Sequence, residues 1–103
     1  MTGTKFDSEK PKPRLILSDM PRAILEVAKV GTFGANKYSE GNWLEVENGL
    51  KRYTDALDRH RLYSAIEDYD QETGLLHAAH LAWNALARLE LILRTTEPAP
   101  QSP

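Results

Sequence analysis

Apolar residues recur every three or four positions through most of the middle of the chain. Behind Pro21, the residues Ile24, Leu25, Val27 and Ala28 fall on one stripe. Proline suits a first helical turn because its missing N–H would be unpaired there anyway, so the pattern predicts a helix from about residue 20, with Ser18 or Asp19 as its cap. The segment "GTFGANKYS" can prolong it. Gly31 and Gly34 each cost a helix about 1 kcal/mol relative to alanine, so their presence calls for a reason. "EGNW" reads as a turn. A second run begins after Asn48, a cap candidate, and places Leu50, Tyr53, Leu57, Tyr63 or Ser64, and Glu67 near one face, which predicts a helix running on through "SAIEDY". "DQETG" interrupts it. A third run, "LLHAAHLAWNALARLELIL", sets Leu76, Ala79, Trp83, Leu86 and Leu93 on an apolar face. No stretch alternates with period two between hairpin signals and no repeat is present, so the expected fold is all-α, a small bundle of three to four helices.

The pattern lapses at both ends. "KPKPR" favours extended backbone, because proline restricts the residue before it, and residues 1–14 are expected to form an extended arm. From Thr95 the chain has three prolines in nine residues and nothing to bury, which predicts a frayed tail over 95–103. Residues 15–94 are left as a single helical domain. A chain of 103 residues has room for one core, and 41% hydrophobic with 27% charged residues is ordinary for a globular protein. A net charge of −2 supplies no basic field for nucleic-acid phosphates. With no cysteine, disulfides, zinc–thiolate sites and thiol nucleophiles are all excluded. No apolar run reaches the roughly 18 residues a membrane helix needs, and the first residues lack a signal peptide's apolar core, so a cytoplasmic protein is expected. Short chains bury a small share of their surface, which makes a homo-oligomer, dimer or tetramer, a reasonable expectation.

Two places carry candidate chemistry. His77, His80 and Asn84 stand at i, i+3 and i+7 in the third run and form a polar seam on an otherwise apolar helix. Upstream, His60 and Glu67 are seven apart on the face of Tyr53, while Glu67 and Asp70 have a spacing that lets two carboxylates hold one cation if the helix persists that far. A short turn makes the second and third helices antiparallel neighbours, which crowds Glu67, Asp70, Glu72, His77 and His80 at one end of the pair. Carboxylates prefer Mg²⁺ or Mn²⁺, and imidazoles lean toward Mn²⁺, Zn²⁺ or Fe. Spacing alone equally allows a solvent-facing seam and a solvated acidic turn, with Glu72 stabilising the start of the third helix. The second place is "FGANKYSEGNW": Lys37 can meet a phosphate, Tyr38 or Trp43 can stack on a flat ring, and Asn42 can hydrogen-bond. A helix end packed by its own aromatics would read the same way.

The order F-G-A-x-K-Y, N-W, R-Y-x-D-A-L-x-R-H, D-x-E-[ST]-G and H-x-x-H-x-x-x-N, from Lys12 to Ile92, resembles the small phage and bacterial proteins grouped as dATP/dGTP diphosphohydrolases, relatives of the MazG-like all-α nucleoside triphosphate pyrophosphohydrolases. The resemblance implies an oligomeric helical core in which carboxylates hold Mg²⁺ or Mn²⁺ around a purine (deoxy)nucleoside triphosphate. Water then releases pyrophosphate and a monophosphate. By residue it implies Glu67 and Asp70 as metal ligands, with Glu26 a further candidate. His77 and His80 would be ligands or phosphate contacts, and His60 an orienting or acid/base group. Lys37, Tyr38, Asn42, Trp43 and Asn84 would line the nucleotide site. The chain has no E-E-x-x-E helix of the kind usual in MazG-like enzymes, and His77 and His80 stand where acids would be presented. Two other readings stay open: a nucleotide-binding sponge without turnover, and a phosphohydrolase whose zinc or iron is held mainly by His60, His77 and His80.

Overall fold

The computed structural model describes residues 8–96. The expected tail beyond Thr96 and the first seven residues of the expected arm lie outside that range. Five helices follow in order: α1 (Arg14–Leu17), α2 (Pro21–Lys37), α3 (Asn42–Glu45), α4 (Gly49–Tyr63) and α5 (His77–Thr95). No strand forms among the described residues, only an isolated bridge between Tyr69 and Leu76. The protein is an all-α bundle of three long helices and two single turns.

Local chemistry explains most of these limits and corrects some expectations. The arm does not stay extended to residue 14, because Pro13 leads directly into α1. Ser18 closes that turn, its N–H bonding Arg14 O at 2.9 Å, and Met20 rather than Ser18 or Asp19 precedes Pro21 at the start of α2. α2 absorbs both glycines. A Cβ on Gly31 would come within 3.3 Å of Trp83 Nε1, so glycine lets α2 approach the indole. A Cβ on Gly34 would meet nothing within 4 Å, and packing gives no reason for glycine there. "EGNW" is not a bare turn, since Asn42 and Trp43 open α3. Asn48 caps α4 in the left-handed region, at φ 56°, without a side-chain cap bond.

α4 stops at Tyr63, short of the expected continuation. The N–H groups of both Ile66 and Glu67 bond Tyr63 O at 2.9 Å, winding residues 64–66 into a turn. Glu67 and Asp70 therefore do not share a helical face. The chain reverses over Asp70–Gly74: Gly74 N–H bonds Asp70 O at 2.8 Å, and Asp70 N–H bonds Leu75 O at 2.7 Å. Gly74 has φ +72°, a conformation that costs other residues roughly 1–2 kcal/mol.

α4 packs along α5, and α2 lies against the same helix. The antiparallel sense follows from the contacts at three levels. His60, late in α4, meets His77 at the start of α5, and Thr54 accepts a 2.6 Å bond from Arg88 Nε. Gly49, first in α4, lies against Leu91. The buried apolar set is small, Val30, Ala79 and Ala87, and three polar residues of α5 join it: His77 (2% exposed), His80 (8%) and Asn84 (5%). Leu86 and Leu93, expected on the inner face, are more than half exposed, as is Leu89 between them. α5 thus buries its polar seam and leaves a leucine row exposed along the wall of a cavity, the reverse of a simple amphipathic helix. The body is elongated, 53 × 30 × 26 Å.

Candidate functional site

The inward seam of α5 is held at its start by backbone bonding, His77 N–H to Asp68 O at 2.9 Å. Two turns on, Asn84 Nδ2 donates to His80 O at 2.8 Å, which ties its buried amide back to α5. From α4, the His60 ring stacks on His80 with centroids 4.5 Å apart and planes 9° from parallel. His60 Nδ1 and His77 Nδ1 are 2.9 Å apart. Three imidazoles from two helices therefore meet at one end of the bundle, and Tyr63 adds a ring 5.5 Å from that of His77.

The reversal between the helices delivers a carboxylate to the same place. Asp70 Oδ1 accepts the N–H groups of Glu72 and Thr73, each at 2.9 Å, so the side chain that closes the turn is also fixed by it. Thr73 Oγ1 lies 3.2 Å from Asp70 Oδ1 and 2.7 Å from His80 Nε2, and accepts from Leu75 N–H at 3.2 Å. A hydroxyl has one proton to give. All of these contacts are satisfied together when His80 donates from Nε2 to Thr73 and Thr73 donates to Asp70. Oδ1 of Asp70 is then saturated, which leaves Oδ2 and the Nδ1 lone pair of His80 uncommitted.

His60, Asp70 and His77 each offer a donor atom within 4.8 Å of the others, a group able to hold a metal ion. Two observations fit a cation here. Donors bound to one ion at about 2.0–2.2 Å stand roughly 3 Å apart, as the His60 and His77 Nδ1 atoms do. His77 Nε2 is buried without a hydrogen-bond partner, and it points toward Glu67 Oε1 3.6 Å away. A metal-bound imidazole commonly has such a carboxylate behind it. Protonation states favour ligation as well. Burial, with help from neighbouring His80, pushes the His60 imidazole down to about 4, and burial lowers His80. Hydrogen bonds from Thr73 and Glu72 and the nearby His80 outweigh burial at Asp70 and hold its carboxyl below the usual range. One carboxylate with two imidazoles suits Mn²⁺, Fe²⁺ or Zn²⁺ better than Mg²⁺, whose ligands are almost all oxygen.

On the other side of His80 and Thr73 opens a cavity of about 1030 Å³, walled by α2, α3, α4 and α5. Tyr38, Asn42, Trp43 and Asn84 line it, and so do Tyr53 and Trp83. Trp43 packs against Tyr53 and Trp83 with centroids 6.4 and 6.1 Å away, and its carbonyl accepts the Tyr53 hydroxyl at 2.6 Å. It is both a packing aromatic and a cavity wall. Lys37 reaches the cavity too. Its ammonium is engaged with Glu72 at 2.8 Å, a pair that raises the lysine's pKa and occupies the acid expected to serve the start of α5. Glu26 stands apart from the donor group, bound to Lys29 at 2.6 Å. Reading the sequence for ligands passed over Thr73, although it sits in the D-x-E-[ST]-G motif, and over Arg52 and Arg59, the arginines of R-Y-x-D-A-L-x-R-H, both in the cavity wall.

Fold and site together define a small all-α protein with a histidine–carboxylate group able to hold a cation beside an aromatic cavity. A profile described as dATP/dGTP diphosphohydrolase, N-terminal, matches residues 1–100, and the chain belongs to that family. It is similar to a dATP/dGTP diphosphohydrolase of Salmonella phage PMBT28, with 45% identity over 83 residues, 80% of this chain. The chain spans only 27% of that relative's length. No solved structure matches it. No helix among the described residues is long and apolar enough to cross a membrane.

Proposed function

We propose that the chain forms the metal-dependent site of a purine deoxynucleoside triphosphate pyrophosphohydrolase, releasing monophosphate and pyrophosphate, in a cytoplasmic and self-associating protein. The observation that carries this reading is the His60–Asp70–His77 group, which touches two residues of the aromatic cavity's wall, His80 and Thr73. The family and the phage relative's name supply the substrate class.

In this reading the base enters among Tyr38, Trp43 and Trp83, where flat aromatic faces favour stacking, and Asn42 or Asn84 hydrogen-bonds its edge. His60, His77 and Asp70 would hold the cation, and Glu67, 3.6 Å from His77 Nε2, would orient that ring. A bound divalent ion supplies charge neutralisation at the phosphates and a lowered pKa for water. His80, neutral and with its Nδ1 free, is placed to take a proton from an attacking water, and Thr73 and Asp70 hold its tautomer. The two nitrogen donors favour Mn²⁺ over Mg²⁺.

Chelator-treated protein, resupplied in turn with Mn²⁺ or Mg²⁺, should convert dATP or dGTP to monophosphate plus pyrophosphate, with Mn²⁺ the better ion. Nucleotide recovered intact in every case, yet bound, would instead make the protein a sponge. The absence of both binding and turnover would sink the reading.

A further inference from the structure

The cavity contains more positive charge than its expected phosphate ligand, Lys37, provides. Arg52, Ala56 and Arg59 occupy i, i+4 and i+7 on α4 and all line it, so two arginines arise from one helical face at backbone positions about 10.5 Å apart along the axis, with only a methyl group between them. Their partners distinguish them from the other cations nearby. Lys37 is held by Glu72 at 2.8 Å, Arg94 by Glu90 at 2.9 Å, and Arg88 by the Thr54 hydroxyl at 2.6 Å. Neither Arg52 nor Arg59 meets a carboxylate among the described residues. Of the acids in the wall, Glu72 and Glu90 are engaged by those cations, and Glu40 and Glu47 come from either side of α3, not from α4. Arg59 also precedes His60, whose ring stacks on His80 in the same wall.

We propose that Arg52 and Arg59 form a polyphosphate clamp, which grips the phosphate chain of a nucleoside triphosphate along α4 and leads it toward His80. The planar guanidinium fork matches two phosphate oxygens, and an arginine without an acid partner forms such bonds without first breaking an ion pair. The clamp selects for the length of the phosphate chain: a monophosphate reaches at most one arginine, and a triphosphate reaches both. The assignment rests on the nucleotide reading above.

The test measures binding of dATP and of dAMP by quenching of tryptophan fluorescence, with chelator present so that turnover does not intervene. Wild-type protein should prefer dATP. Arg52→Met and Arg59→Met should each weaken dATP binding about tenfold, the scale of one charge-assisted hydrogen bond, and leave dAMP within about twofold. Arg61→Met removes an equal charge from the same helix, at a residue 3.9 Å from Asp58 and outside the cavity wall, and should preserve the preference. Helical content by circular dichroism confirms that each variant is folded. If wild-type protein binds neither nucleotide, the nucleotide reading fails and the clamp with it. If it discriminates and the Arg52 and Arg59 variants discriminate equally well, the clamp alone is overturned, as it is if Arg61→Met has the same effect as they do.

Discussion

Thr73 makes three polar contacts through one oxygen, linking the turn to His80. Replacing it with valine keeps the shape and removes the hydroxyl, which leaves His80 Nε2 and Leu75 N–H without a partner in a half-buried setting. That costs about 1–3 kcal/mol of stability, and it frees His80 to take either tautomer. We expect Thr73→Val to lower Tm and to weaken Mn²⁺ binding by about 10-fold or more, whereas Thr73→Ser restores both. A valine variant with unchanged metal affinity would show that the hydroxyl only packs. His60 offers a second check at this scale. The folded, metal-free protein keeps it neutral down to about pH 4, while its ordinary value is 6.5, so unfolding takes up a proton between those limits and stability falls as pH falls through that window. His80, also lowered, contributes in the same direction. Asp70, held below 3.8, stays charged through most of the range, with its own loss coming at lower pH. In chelator, Tm should decline from pH 6.5 toward 4, and His60→Gln should decline less steeply. Equal slopes for the two proteins would remove His60 from the account.

Helices α2 and α5 show what a local pattern reveals. The three long helices, the interruption at "DQETG" and the seam of His77, His80 and Asn84 were legible because each depends on residues within a few positions of one another. The end of α4 was not, since "SAIEDY" keeps helical spacing and what stops the helix is a bonding choice at Tyr63 O. The pairing of His60 with His77 and His80 needed two helices in register. The inward orientation of the seam depended on how α5 was rotated against α4, and its leucine row had equal claim to that place by pattern. The glycines of α2 test the same distinction. Gly34→Ala adds a methyl into open space and should stabilise by about 0.5–1 kcal/mol through helix propensity. Gly31→Ala gains the same propensity but brings its Cβ within 3.3 Å of Trp83 Nε1, so it should stabilise less or destabilise. Thermal melts of the two variants decide this, and a larger gain at Gly31 would mean that the indole moves freely and the close approach imposes nothing.

At the scale of the whole molecule the imbalance is between a small core and a broad apolar exterior. Among the described residues only Val30, Ala79 and Ala87 are buried apolar side chains, while Leu25, Leu86, Leu89 and Leu93 each leave more than half their surface in water. Covering the remaining half of a leucine recovers roughly 1 kcal/mol, a sum over several residues that matters to a domain whose net stability is about 5–15 kcal/mol. Leu86, Leu89 and Leu93 recur every three or four residues along one face of α5, at the wall of the aromatic cavity, a row suited to another helix. The expected cover is a second copy of the chain. Association stabilises the folded form by mass action, so Tm should rise with protein concentration and level off once the assembly is saturated. A Leu89→Glu, Leu93→Glu variant places two carboxylates in that contact and should run as a monomer in light scattering, with a Tm independent of concentration. Both residues are exposed in the single chain, so the substitution should cost the isolated fold little, and a variant that still assembles would show that the leucine row is not where the copies meet.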